Sequence, residues 1–242
     1  MVPPLLKLVS ACGLLTLAAT TAFAQSSPCT QASKYGLLAS APASLAGCPL
    51  SAVIQTETTQ SLADGTRIQK KFKNLVYRDS AGRIRYEFYA PTNPDKDFPA
   101  ASNMIYIFDP VAGFSYLLWP ETARGSRHRI GEPPPSSAAP SATAQHEESE
   151  ATVENLGTMW LEGLLVKGRR ITHTIPEGAE GNDRALTVVV EAWESSEMGI
   201  TLLQKNSDPR SGNSTKRMTN LKRTEPDSAL FQVPTDYTVK DE

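Results

Sequence analysis

From residue 51 onward the apolar positions of the chain recur every second residue, which is the period of a strand with one buried face. The cleanest case is Arg83-Ile84-Arg85-Tyr86-Glu87-Phe88, which sets Ile84, Tyr86 and Phe88 on one side and charges on the other. Asp79-Ser80-Ala81-Gly82 before it has the residues of a tight turn, so this strand pairs back onto residues 67–77 as a hairpin. The same reading predicts strands at 51–60, 104–108, 114–119 and 124–130. A second series follows at 159–166, 169–175, 186–193, 199–205 and 215–223. Short strands at this spacing, punctuated by Gly, Pro, Asn and Asp, predict a mainly β fold with few short helices. The chain is expected to be an antiparallel meander that forms either an open half-barrel or a sandwich.

Two stretches depart from strict alternation. Met104-Ile105-Tyr106-Ile107-Phe108 and Val188-Val189-Val190 are apolar on both sides, whereas a single layer in water alternates. Their second face therefore needs a cover: a helix, a second sheet or a bound apolar ligand. Between the two series, residues 131–150 hold Pro133-Pro134-Pro135, many Ser and Ala, and the acidic Glu147, Glu148 and Glu150. With too few apolar residues to fold alone, this stretch reads as a disordered loop inside a single β domain at 49–242.

The start of the chain has another character. Lys7, the apolar run Leu8 to Ala19 and then Ala22-Phe23-Ala24 form a charged start, a short apolar core and a small-x-small cleavage site. Residues 1–24 are thus expected to be an export signal, with the mature chain starting at Gln25. About a dozen apolar residues reach only about 18 Å as a helix, against a hydrocarbon core of about 30 Å, so this is no membrane span. Val9-Ser10-Ala11-Cys12 has the outline of a lipid-attachment box that would anchor the protein at Cys12. The apolar run continues past Cys12 to Ala24, which favours a soluble periplasmic or secreted protein.

Cleavage changes the charge and the cysteines. The whole chain has 24 basic and 26 acidic residues; the leader removes one lysine, leaving 23 against 26 and a net charge near −3. That balance argues against nucleic acid as a partner. Cys29 and Cys48 remain, and in an oxidising compartment they are expected to pair and close the segment 25–48. A loop of this length contributes about 3 kcal/mol on the chain-entropy model. Within it, Ser27-Pro28 is suited to start a short helix reaching about Ser40.

Candidate chemistry is sparse. His128 lies among Arg124, Arg127 and Arg129, His146 lies in the Pro/Glu-rich stretch and His173 in a predicted strand, a spacing that forms no metal site. No metal or cofactor is expected. There is no Gly-x-Ser-x-Gly elbow, and Gly163, Gly168, Gly178 and Gly181 are separated by strand residues rather than opening a helix. The carboxylates Glu87, Glu162 and Glu191 fall in predicted strands. In a cleft one of them would serve as a general acid; on a wet face they would pair with Arg169, Arg170 or Arg184. The basic run Lys70-Lys71-Phe72-Lys73 suits an acidic surface or a solvated strand face. The remaining lead is aromatic: Trp119, Trp160 and Trp193 lie on predicted strands, the last two sharing faces with Glu162 and Glu191. If those faces line a groove, the five residues form a ligand site for an acyl chain or apolar peptide; if they meet a second sheet, they are core.

The C-terminal stretch carries a resemblance. Asp208-Pro209-Arg210-Ser211-Gly212, Arg217-Met218-Thr219-Asn220-Leu221 and Glu225-Pro226-Asp227-Ser228-Ala229-Leu230-Phe231-Gln232-Val233-Pro234 resemble a group of exported bacterial proteins with no attached activity. The closing pattern, an acid, a Leu-Phe and a Pro before a final strand, is also distantly similar to the LolA-like periplasmic lipoprotein carriers. In it Pro226 stops a strand, Asp227 or Ser228 caps one helical turn, and Leu230 and Phe231 enter the core. The resemblance implies an open β half-barrel around an apolar cavity that takes acyl chains. The chain departs from the carriers by its inserted Pro/Glu-rich stretch, its N-terminal cysteine pair and its lack of lid helices.

Together these readings lead to an exported, non-enzymatic envelope protein that binds an apolar or amphiphilic partner (lipid, acyl chain or lipoprotein) in a β-lined groove. The alternatives are a structural or protein-interaction module of the envelope with a closed core, and a hydrolase acting through Glu162 or Glu191.

Overall fold

The computed structural model describes residues 48–131 and 151–242. The expected leader, Cys29, the helix predicted from Ser27, His146 and the stretch 132–150 lie outside the described residues.

Two antiparallel meanders make up the chain. The first contains β1 (Leu50–Ser61), β2 (Arg67–Arg78), β3 (Ile84–Phe88), β4 (Met104–Asp109), β5 (Phe114–Trp119) and β6 (Arg124–Arg129). The second contains β7 (Thr152–Leu161), β8 (Leu164–Ile175), β9 (Leu186–Ser195), β10 (Ile200–Asp208) and β11 (Gly212–Lys222). A single 3-10 turn at Ser228–Phe231 leads to β12 (Thr238–Asp241). All twelve strands join one sheet in the order β12-β6-β5-β4-β3-β2-β1-β11-β10-β9-β8-β7. The two meanders are fused where β1 pairs with β11, and β12 lies parallel on β6. β7 and β12 stay apart as free edges, so the sheet is an open half-barrel and not a sandwich.

Turn chemistry sets the hairpins. Between β2 and β3, Asp79 Oδ1 accepts the Arg83 amide at 2.8 Å, and the Gly82 amide donates to the Asp79 carbonyl at 3.1 Å. The strand expected at 159–166 is instead a hairpin. β7 ends at Leu161 and β8 begins at Leu164, across the two-residue turn Glu162-Gly163, whose φ angles of 48° and 74° are both left-handed. The run from Met159 to Val166 is apolar on both sides of this dipeptide, and that hid the turn from a periodicity reading. The first part of the segment expected at 159–166 accordingly ends β7, and its last part merges with the segment expected at 169–175 into β8.

The packing follows the alternation. Ile54 stands opposite Met218, Ala52 opposite Val76, and Val76 opposite Tyr86. These residues belong to one buried cluster with Leu50, Ile84 and Phe108. Leu164, Val166, Ile200 and Leu202 of the second meander join that cluster, and Trp193 packs against it. The register slips between Thr201 and Leu203, where Leu202 and Leu203 are both buried, so the strict alternation of β10 breaks there. We call the face that carries Ile54, Val76 and Met218, and the residues level with them across the strands, the inner face; Leu164, Val166 and Trp193, which reach the same cluster at the end of β8 and β9 next to the β10 slip, stand on the opposite alternation from Ile171, Val190 and Ala192.

The doubly apolar β4 is explained by two covers. Its Phe108 side meets the cluster just described, with Tyr106 packed against it, whereas Ile105 and Ile107 form a second cluster with Leu118 on the opposite face. Val233, Tyr237 and Val239 of the C-terminal segment close that second face. Asp227 caps the 3-10 turn by accepting the Ala229 amide at 2.9 Å, and Phe231 is buried beside Arg83. The segment is held down by Arg85, which donates to the Leu230 carbonyl, and by the bidentate pair of Arg127 with Asp241 at 2.6 and 3.0 Å.

Candidate functional site

The register places unlike chemistry on the two faces of the fused region. On the outer face Lys71, Glu57, Thr215, Lys205, Glu191, Arg170 and Glu154 stand side by side across seven neighbouring strands. Arg170 donates to Glu191 at 2.8 Å and to Glu154 at 2.6 Å, and Lys205 lies 3.7 Å from Glu191. Alternating charge of this kind is a wet surface, with each pair worth little in stability.

One residue along each strand, the inner face carries Phe72, Thr56, Lys216, Gln204 and Ala192 in a row, with Thr58, Ser214, Asn206, Val190 and Ile171 in the next. This strip continues directly from the core pair Ile54 and Met218. Val188, Val190, Ile171 and Phe72 are half-buried and Ala192 is buried. A polar ladder crosses the strip: Gln204 Nε2 donates to Asn206 Oδ1 at 3.1 Å, and Asn206 Nδ2 to Ser214 Oγ at 3.2 Å.

Lys216 is the odd member. Its ammonium makes no hydrogen bond or ion pair with the described residues, and burial holds it down to about 8 from an ordinary 10.5. The other charged residues in these rows are Lys70 and Arg169, both cationic, and Arg169 is paired with Glu194 at 3.0 Å. A second cation on this face is Arg78, opposite Leu50 and Ile84 at the core end. Arg78 is 0% exposed; its Nε donates to the Cys48 carbonyl at 2.6 Å, but both terminal nitrogens are buried without a partner among the described residues. Burial lowers its guanidinium to about 10.

The aromatic and acidic residues singled out in the sequence do not converge. Trp119, at the end of β5 opposite Arg124, belongs to the far side of the sheet. Trp160 faces Leu165 on the edge pair β7–β8, and both are exposed, at 71% and 47%. Trp193 faces Gly168, three residues on from Leu165, so the two indoles leave opposite faces of the sheet. Glu162 sits in the exposed hairpin turn, where its Oε2 accepts the Leu221 amide at 3.2 Å. Glu191 is held by Arg170 and Lys205, and Glu87 by Arg85 at 2.8 Å and by the Tyr89 hydroxyl. Among the described residues no three His, Cys, Asp or Glu side chains are grouped to hold a metal. Lys216 went unnoticed in the sequence, although a signal was present: it stands in phase with Met218, at an apolar position of its strand.

A second groove opens on the outer face. Ser51, Val53, Leu75, Tyr77, Leu221 and Lys222 line a hollow of about 520 Å³ beside the register shift between Ser51 and Val53. Burial, followed by the charge of Glu87, pushes the Tyr77 hydroxyl up.

No protein-family model matches the chain, and no curated protein matches its sequence. The fold is similar to that of several solved structures. An uncharacterized conserved protein from Thermus thermophilus is 13% identical, covering 81% of this chain and 91% of that one, with a TM-score of 0.44. A chain of the Pseudomonas aeruginosa MucA/MucB complex is 12% identical at a TM-score of 0.39; the match takes in 78% of this chain and spans 58% of that one. A LolA superfamily protein from Nitrosomonas europaea is 8% identical over 76% of this chain and 90% of that one, with a TM-score of 0.31.

Proposed function

We propose that this is an exported, non-catalytic carrier that holds the acyl part of an amphiphile against the inner face of β8 to β11. The observation behind the reading is the contrast along β9: Val188, Val190 and Ala192 share the face of Lys216, while Glu191, on the alternate face with Trp193, is held in ion pairs with Arg170 and Lys205. An apolar strip with a few polar groups at its border is the usual make-up of a lipid-binding surface. Of the carboxylates weighed for hydrolysis, Glu191 is tied into ion pairs with Arg170 and Lys205, and Glu162 accepts a backbone amide in an exposed turn, which favours binding over catalysis. Native mass spectrometry of protein purified from its own envelope tests the reading: bound acyl lipid is the expected result, and repeated recovery of lipid-free protein rules it out.

A protein-interaction role is favoured by one separate feature, the exposed pair Trp160 and Leu165 at the β7 edge. Crosslinking from position 160 in the native envelope separates the two: a discrete protein adduct supports this second reading, and lipid adducts alone support the first.

A further inference from the structure

We infer that Lys216 anchors the head of the bound amphiphile, and that the ligand is therefore an anionic, fatty-acid-like molecule; this rests on the acyl-binding reading above. The geometry is the first support. Lys216 stands between Thr56 and Gln204 at the point where the inner face changes from core, at Ile54 and Met218, to the half-buried strip of Val190 and Ile171. An amphiphile laid on that strip has its head at this boundary and its tail on the valines.

Charge is the second support. On the outer face Arg170 is answered by Glu191 and Glu154, and Lys205 by Glu191. On the inner face the positions adjoining Lys216 are Thr56, Gln204, Ile54, Thr58, Leu202, Asn206, Ser214 and Met218, with no carboxylate among them. Arg78, further along the same face, has two buried nitrogens that likewise lack an acceptor among the described residues. A half-buried ammonium with no partner among the described residues is complementary to an anion, and desolvation strengthens such a pair. The Gln204–Asn206–Ser214 ladder leaves the Gln204 carbonyl oxygen and the Ser214 hydroxyl hydrogen unassigned on positions adjoining Lys216, available to a head group.

Displacement of the neutral dye Nile red from the full mature protein tests this, with dodecanoate and 1-dodecanol as competitors of equal chain length. At pH 7 dodecanoate is expected to compete at least tenfold better than the alcohol. Lys216→Met and Lys216→Gln should bring the two within threefold of each other, whereas Lys216→Arg should keep the preference. Excess inorganic phosphate should not displace the dye, since the tail is part of the recognition. Raising the pH through 8 to 10 should erode the preference as the ammonium loses its proton. Equal competition by acid and alcohol in the wild type, or a preference that survives in both Lys216→Met and Lys216→Gln, overturns the inference while leaving acyl binding intact. Failure of both competitors to displace the dye overturns acyl binding itself. Circular dichroism of each variant guards against loss of fold, and either neutral variant alone suffices.

Discussion

The indole of Trp193 occupies the space that a side chain at Gly168 would need: a Cβ built there would overlap its six-membered ring. The two residues stand opposite each other on β8 and β9, and Gly168 also faces Gly157 on β7. A strand glycine here serves the close approach of an aromatic ring.

Gly168→Ala should therefore lower unfolding stability by about 1–3 kcal/mol through overpacking. In a Trp193→Leu background the same change should have a smaller effect, since the overlapping ring is gone. Urea unfolding of the double-mutant cycle reads the difference as a coupling energy.

Arg78 supplies a second test. A fully buried guanidinium with unpaired terminal nitrogens contributes less than an apolar side chain of its length. Arg78→Met is expected to hold or raise the denaturation midpoint, whereas Arg78→Ala should lower stability by about 2–5 kcal/mol because it leaves a cavity. Chemical denaturation at pH 7 compares the two.

Lys216 predicts a pH dependence. Its folded value of about 8 lies below the ordinary 10.5, so between these values the unfolded chain binds more protons than the folded one. Its unfavourable contribution is present in full below pH 8 and is relieved as the pH rises towards 10.5. Lys216→Met should be more stable than the wild type at pH 7, and the gap in Tm should close by pH 10. A gap that widens with pH contradicts this.

The N-terminal expectations have a direct check. Peptide mapping without reduction should yield one linked pair, Cys29 with Cys48, and N-terminal sequencing should begin at Gln25. Reduction should lower stability by about 3 kcal/mol.

Trp160 is expected to matter little for folding. It is 71% exposed on an edge strand, and Trp160→Ser should leave unfolding stability within about 0.5 kcal/mol of the wild type in urea melts.

Much of the fold was legible because period-two alternation is local: β1 to β6 and β9 to β11 fall close to the predicted segments, and Asp227 caps the closing turn as the resemblance implied. The hairpin at Glu162-Gly163 was hidden because its flanks, Met159 to Leu161 and Leu164 to Val166, are apolar on both sides. The candidate site was less legible. Whether Trp160 and Trp193 share a face depends on the register between three strands, and a one-residue shift reverses the answer. Lys216 mattered only once Thr56 and Gln204 were known to flank it without an acid, which is a fact of pairing and not of spacing.

The C-terminal clasp orders events in time. A chain made from its N-terminus delivers β4 and β5 long before Val233, Tyr237 and Val239, the residues that close over Ile105, Ile107 and Leu118. Until the last residues emerge, that greasy patch and the bare rim of β6 face water together, and Arg127 waits for Asp241, 114 positions away. A nascent chain thus keeps an apolar patch open to sticking until its last residues are made.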